Sequence, residues 1–173
     1  DELLKGTSGH SVSWSSYTGE NKFDHFRLRL SLEPGDNYPH IITNSISPGS
    51  NQYLWTPATV SSDSARLALE ACNYRDSVIC TFYGDLFQVD SSPPDPFALL
   101  EPADNSNTNL LPAFSWEAAA DSISGLAFYR LFIDETIVQD NLLSPTYSLT
   151  PAETLAEAVH TWRVEAVDST GLT

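Results

Sequence analysis

The chain has 173 residues, 41% of them hydrophobic, and carries 23 acidic against 8 basic residues for a formal net charge of −15. A surface with this charge repels phosphate backbones, which argues against nucleic acid as a partner, and no apolar stretch approaches the roughly 18–20 residues of a membrane span. The charge favours solubility, with attraction of cations such as Ca²⁺ as the alternative.

The first half of the chain reads as short β-strands separated by turns. The clearest strand covers residues 26–32, where Phe26, Leu28 and Leu30 alternate with polar residues in the pattern of a half-buried strand. Residues 2–4 resemble the remnant of a first strand. Further strands are predicted at 12–14, 38–43, 52–55, 65–72 and 86–89.

The only two cysteines, Cys72 and Cys80, enclose a short segment. In the preceding strand Leu67, Leu69 and Ala71 share one face, which places Cys72 on the other face at the strand's end. We predict a disulfide that clamps the segment, worth roughly 2–3 kcal/mol by chain closure, with two free thiols as the alternative. The disulfide would imply an oxidising compartment, and the lack of further cysteines or a nearby histidine argues against zinc.

A proline-rich joint separates the halves. Pro93, Pro94 and Pro96 cannot lie inside a central strand and favour a stiff, extended linker. We therefore predict one domain over residues 1–90 and a second over residues 91–173, held apart semi-rigidly.

The second half also reads as strands, at residues 97–100, 111–116, 128–133, 136–139, 146–149 and 161–167. By comparison with the first half, one more strand is expected after the last of these. We therefore expect an open sheet edge beside residues 161–167, with exposed apolar surface from Trp162, Val164 and Ala166. Either residues following Thr173 fold back over this edge, which we favour, or a neighbouring subunit inserts a strand there.

The two halves repeat the same motifs in the same order. Superposing Trp14 on Trp116 is a shift of 102 residues, and Phe26-Arg27 matches Tyr129-Arg130 at a shift of 103. Leu69-Glu70-Ala71 matches Val164-Glu165-Ala166 at a shift of 95. Conserved order with variable loops indicates a tandem repeat of one module of about ninety residues.

These motifs resemble known extracellular modules. The segments SVSW, FDHFRLRLSLEPGDNY, YLWTP, ARLALEA and LFQV are similar to bacterial extracellular sandwich repeats. The segments FSWEAA, SGLAFYRLFID and HTWRVEAVDSTG resemble bacterial immunoglobulin-like and fibronectin type III modules. The resemblance implies an all-β chain of two tandem immunoglobulin-like β-sandwiches, the second fibronectin type III-like, and it transfers no catalytic residues.

Candidate reactive residues are scattered. The four histidines show no metal-binding spacing, and His160 reads as a strand-end residue rather than a base. Asp121 and Asp168 lie in predicted loops, where a carboxylate pair for glycoside hydrolysis stays open beside simple polar loops. The oxygen-rich segment 104–109 fits either a calcium site or a turn whose Asn and Asp side chains hydrogen-bond to their own backbone. Asp90 or Asp95 could contribute to a calcium site between the modules.

The tryptophans recur at strand positions where sandwiches keep core aromatics. We assign Trp14, Trp116 and Trp162 to the core, whereas Trp55 could instead lie near a module end. The favoured function is therefore a non-catalytic structural, adhesive or assembly module of a larger secreted or cell-surface protein, contacting neighbouring modules or other copies and needing no cofactor. The alternative is an accessory, carbohydrate-binding module of a secreted hydrolase, which would expose at least two coplanar aromatic rings.

Overall fold

The computed structural model describes residues 2–15, 23–35, 37–57 and 59–173. The protein is all-β, as predicted: thirteen strands and one short 3-10 helix account for the regular structure of the described residues. The chain divides into two compact units, Asp1–Ser92 and Pro93–Thr173. Within the described ranges there is no helix with the length and apolar character needed to cross a membrane.

Unit 1 contains one large and one small sheet. The large sheet has the strand order β1-β7-β6-β3-β4 and the small one pairs β2 with β5. Neighbouring strands are antiparallel except for β1, which runs parallel to the end of β7. The seven strands are β1 (Glu2–Lys5), β2 (His10–Ser13), β3 (His25–Ser31), β4 (His40–Ile46), β5 (Gln52–Trp55), β6 (Ser62–Cys72) and β7 (Val78–Asp90).

The core of unit 1 follows from the alternation in β3. Phe26, Leu28 and Leu30 are buried on one face. They pack against the small sheet, which supplies Val12 and Tyr53 to both of the apolar clusters of this unit. The two sheets therefore enclose the core as a sandwich.

Unit 2 is a sandwich of two three-stranded sheets, with strand orders β11-β10-β13 and β12-β9-β8. All of its strand pairs are antiparallel. The strands are β8 (Leu99–Glu101), β9 (Ala113–Trp116), β10 (Leu126–Ile133), β11 (Thr136–Leu142), β12 (Thr146–Ser148) and β13 (Trp162–Asp168), with the 3-10 helix at Pro151–Glu153.

Aromatic side chains join the two sheets of unit 2. Trp116 packs edge-to-face on Tyr129 with ring centroids 5.4 Å apart, and Phe114 packs on Trp162 in the same way at 5.1 Å. Strand β13 lies at the edge of its sheet, but the expectation that it exposes an apolar surface is wrong. Ala166 is buried, and Trp162 and Val164 pack against the core, because alternation points all three at the opposite sheet.

The sequence repeat corresponds to a repeated strand pair. In unit 1 Phe26 lies opposite Ala71 and Arg27 opposite Glu70. In unit 2 the matching pairs are Tyr129 with Ala166 and Arg130 with Glu165. Both arginines bind their glutamates at 3.2 Å on the outer face, so the repeat preserves a buried aromatic–alanine pair and an outer ion pair.

A carboxylate fixes the start of the 3-10 helix. Glu153 Oε2 accepts hydrogen bonds from the backbone amide and the hydroxyl of Thr150, at 2.8 and 2.7 Å, and Tyr147 donates to the same carboxylate at 2.9 Å. The Thr150 bonds, backbone first, lower the pKa of Glu153 to about 2. This is the reciprocal arrangement of a capping box.

Replacing Glu153 with glutamine is expected to cost about 1 kcal/mol of unfolding free energy at neutral pH, as for a lost cap. Because the folded pKa of Glu153 is depressed, its contribution is present above the unfolded pKa near 4.3 and is lost as the pH falls towards 2. Urea unfolding should therefore show the two proteins converging over this interval. The exposed Glu157→Gln is the matched control, and a wild-type advantage that persists unchanged in acid would contradict the assignment.

Candidate functional site

The two cysteines are free in the structure, so the predicted disulfide is not present. Cys72 is buried at the end of β6, whereas Cys80 is exposed in β7 and lies opposite Ala71. Adjacent residues of a strand point to opposite faces of the sheet, so Ala71 and Cys72 do so. Cys80 lies opposite Ala71 and shares its face, so the side chains of Cys72 and Cys80 lie on opposite faces of the sheet. Burial raises the pKa of the Cys72 thiol, which favours its protonated form.

The segment between the cysteines contains the turn that connects β6 to β7, and it is not a loop closed by a disulfide. The Asn73 side chain accepts hydrogen bonds from the backbone amides of Arg75 and Ser77 at 2.8 and 3.1 Å. Strand β7 then begins at Val78, eight residues before the predicted start at Leu86. The early start of β7 could have been predicted from residues 78–83, where Val, Ile, Thr, Phe and Tyr all have high β-propensity.

The early part of β7 is a sheet edge. On one side β7 pairs with β6 along most of its length. On the other side β1 pairs only with the last four residues, from Phe87 to Asp90. Among the residues that the structure describes, no strand pairs with positions 78–86 on that side. Their outward amide and carbonyl groups therefore form a template for another strand.

Large apolar side chains flank this open edge on both faces of the strand. Five of them are 44–50% exposed: Val78, Ile79, Phe82, Tyr83 and Leu86. We call these five residues the β7 strip. The segment 78–84 contains no charge and no proline, which are two of the devices that protect an edge from pairing. A third device is present, because the pairing of β7 with β6 is bulged between Val78 and Cys80 and between Tyr83 and Leu86.

Arg66 supports one side of the strip. Its guanidinium lies over the Tyr83 ring at 5.2 Å, and its Nε donates to the Gly84 carbonyl at 2.8 Å. Tyr38 also packs against the Tyr83 ring, with the ring centroids 5.4 Å apart. The Tyr83 side chain is therefore held in place, which lowers the entropy that a partner would have to remove.

The exposed aromatic rings of the described residues do not form a common platform. They belong to Tyr74, Phe82 and Tyr83. Phe82 and Tyr83 are neighbours in one strand and point to opposite faces, while Tyr74 lies in the preceding turn. Trp55 is buried against Phe87, which places it in the core rather than at a sugar-binding surface.

A pair of carboxylates lies at one end of unit 2. Asp168 is the last residue of β13 rather than a loop residue as predicted, and Asp121 lies in the segment between β9 and β10. Each contributes a carboxylate oxygen within 4.8 Å of the other. Asp168 is only 1% exposed, so a sugar ring could not reach it as glycoside hydrolysis would require. The donor set of oxygen atoms is instead the one that hard divalent cations prefer.

The other predicted calcium positions have structural roles of their own. In the segment 104–109, Asn105 donates to Asp104 at 2.9 Å and Asn109 accepts from the backbone amide of Leu111 at 2.8 Å, as in a self-bonded turn. In unit 1, Asp90 Oδ1 accepts from Ser61 and from the Ser92 amide at 3.1 and 2.9 Å. Its Oδ2 is buried without a hydrogen-bond partner.

His160 closes a loop of unit 2. Its Nδ1 lies 2.6 Å from an Asp134 oxygen, and the other oxygen of Asp134 accepts from the Thr161 amide at 3.0 Å. The bond to Asp134, together with one to the Ala156 carbonyl, raises the pKa of His160. These contacts place His160 before β13 as a loop-closing residue.

Comparison with known proteins identifies similarity at the level of solved structures. No family model and no curated protein matches the chain. Among solved structures, the chain is similar to the FN1–FN3 domains of chicken CNTN1, with 12% sequence identity and a TM-score of 0.39. The match covers 98% of this chain, which spans 58% of the length of that one.

Proposed function

We propose that this chain is a non-catalytic assembly module of a larger secreted or cell-surface protein, and that it joins other copies of itself by strand pairing at β7. The observation that carries the proposal is the β7 strip on an unpaired edge. Exposed apolar side chains beside free backbone donors and acceptors favour addition of a strand, with the backbone giving affinity and the side chains specificity.

The charge distribution favours a second copy of the chain as the partner. At a net charge of −15, most surfaces of two copies repel each other. The segment 78–84 carries no charge, so two copies can meet there without placing like charges directly opposite. Antiparallel pairing of β7 with β7 of the second copy would be self-complementary, as a two-fold interface requires, and would join the two large sheets.

Charge placed on the strip should prevent the association. Sedimentation velocity from micromolar to millimolar concentration is expected to show a reversible dimer for the wild-type chain. If the pairing is centred on the unpaired positions 78–86, the Phe82 residues of the two copies lie near the two-fold axis. Phe82→Lys then removes apolar contact and brings two cations together, so it should weaken the dimer at least about tenfold. Ile79→Lys provides a second variant of the strip.

The matched control is Leu54→Lys, which changes an equally apolar residue that is 71% exposed on β5. It should leave the dimer unchanged. Cys80 provides an independent readout because it is exposed within the edge segment, while Cys72 is buried. A short thiol cross-linker should trap dimers that are lost in Cys80→Ser. A wild-type chain that stays monomeric at every concentration would refute pairing between copies.

A further inference from the structure

We propose that Asp121 and Asp168 bind a divalent cation, with the chemistry of Ca²⁺, at one end of unit 2. The two residues come from the segment between β9 and β10 and from the last position of β13. Two oxygens that coordinate one Ca²⁺ at about 2.3–2.6 Å lie at most about 5 Å apart. The carboxylate oxygens of this pair lie within 4.8 Å of one another, which meets that condition.

Hydrogen bonds fix one oxygen of Asp121. Its Oδ1 accepts from three successive backbone amides, those of Ile123, Ser124 and Gly125, at 3.0, 2.8 and 3.0 Å. The Ser124 hydroxyl also donates to it, at 3.3 Å. The side chain is thereby held in one orientation, while its second oxygen takes no part in these bonds.

Asp168 is fixed in the same way. Its Oδ1 accepts from the amide and the hydroxyl of Thr170, both at 2.8 Å, and from the amide of Leu172 at 2.9 Å. The Oδ2 atom is buried and has no hydrogen-bond partner in unit 2, all of which the structure describes. An ionised oxygen that is buried without a partner is costly, and a bound cation removes that cost.

Unit 2 has no spare basic side chain to neutralise the pair. Its only lysine or arginine residues are Arg130 and Arg163. Arg130 binds Asp140 and Glu165 at 3.2 Å each, and Arg163 binds Glu135 and Glu165. Unit 2 is strongly acidic and both of its arginines bind other carboxylates, so unit 2 supplies no arginine or lysine to the Asp121–Asp168 pair, which favours an external cation.

The bound ion would join two loops that already touch. The Ser169 amide, next to Asp168, donates to the Gly125 carbonyl at 3.0 Å. Gly125 in turn belongs to the loop that Asp121 organises. A cation held by both carboxylates would fix the start of β10 to the end of β13. With two carboxylates and water as the remaining ligands, we expect a dissociation constant of about 10⁻⁴–10⁻³ M.

Calcium titration calorimetry on the full chain tests the site. The wild-type chain should bind one Ca²⁺ in this range, and Asp168→Asn and Asp121→Asn should each weaken binding at least about tenfold. Asp104→Asn removes the same charge from an exposed turn of the same unit and should bind like wild type. Equal affinity in all four proteins, or no binding by the wild type, would overturn the proposal.

Thermal unfolding separates an ion site from a purely structural role. In chelator, Asp168→Asn should unfold at a higher temperature than wild type because it removes the buried charge while its amide oxygen can still accept the loop hydrogen bonds. In millimolar Ca²⁺ the order should reverse, because only the wild type gains stability from the ion. If Asp168→Asn is less stable than wild type by the same amount in chelator and in Ca²⁺, Asp168 only stabilises its loop and binds no ion. If it fails to fold, the Asp121→Asn comparison decides.

Discussion

Replacing Trp116 with alanine is expected to destabilise unit 2 by about 3–5 kcal/mol, the range for removal of a buried large aromatic side chain. Trp116 is 2% exposed and packs on Tyr129 between the two sheets, so its removal leaves a cavity where the sheets meet. Native-state hydrogen exchange should show the amides of β10 and β13 losing roughly two to four powers of ten of protection.

Trp116→Phe is the matched control. The indole Nε1 is buried without a hydrogen-bond partner in unit 2, which is described throughout, so phenylalanine removes volume without breaking a hydrogen bond. We expect a loss smaller than half that of the alanine variant. An alanine variant with wild-type exchange in β10 and β13 would show that the core is not organised around this ring.

Leu28→Ala is expected to cost unit 1 about 2–5 kcal/mol. Leu28 is fully buried in the middle of β3, between β4 and β6, and belongs to an apolar cluster with Phe26, Ile46 and Leu69. Loss of its side chain removes contacts from both neighbouring strands at once. The measurement is hydrogen exchange in β3 and β6, where protection should fall by roughly one and a half to three and a half powers of ten.

The same substitution at Leu54 provides the comparison, because Leu54 is 71% exposed. An exposed leucine has little apolar area to lose, so Leu54→Ala should change unfolding free energy by less than about 0.5 kcal/mol. Similar effects of the two substitutions would mean that the alternation in β3 does not define the core face.

The local sequence pattern was sufficient to predict the strands in which apolar and polar residues clearly alternate. In β3, apolar residues at every second position identified both the strand and its buried face. The repeat of Phe26-Arg27 in Tyr129-Arg130 indicated matching strands, and the structure gives them the same register against β6 and β13. These features are encoded within a few residues, so they can be read without a structure.

Features that depend on pairing partners could not be read in this way. The spacing of Cys72 and Cys80 favoured a loop, but strand pairing places Cys80 opposite Ala71 and extends β7 to Val78. Nothing in a single sequence tells which strand is left at an edge. Likewise, the sequence offered Asp121 and Asp168 only as a hydrolytic carboxylate pair or as simple polar loop residues, because the geometry of their approach depends on the packing of unit 2.

Hydrogen exchange of β7 at rising protein concentration tests the central claim most directly. If two copies pair along this edge, the outward amides of residues 78–86 should exchange rapidly in dilute samples and become protected as the dimer forms. Amides of β3, which is flanked by β4 and β6, should show no such dependence. Exchange in residues 78–86 that is the same at every concentration, in a sample whose mass is that of the monomer, would contradict assembly through β7.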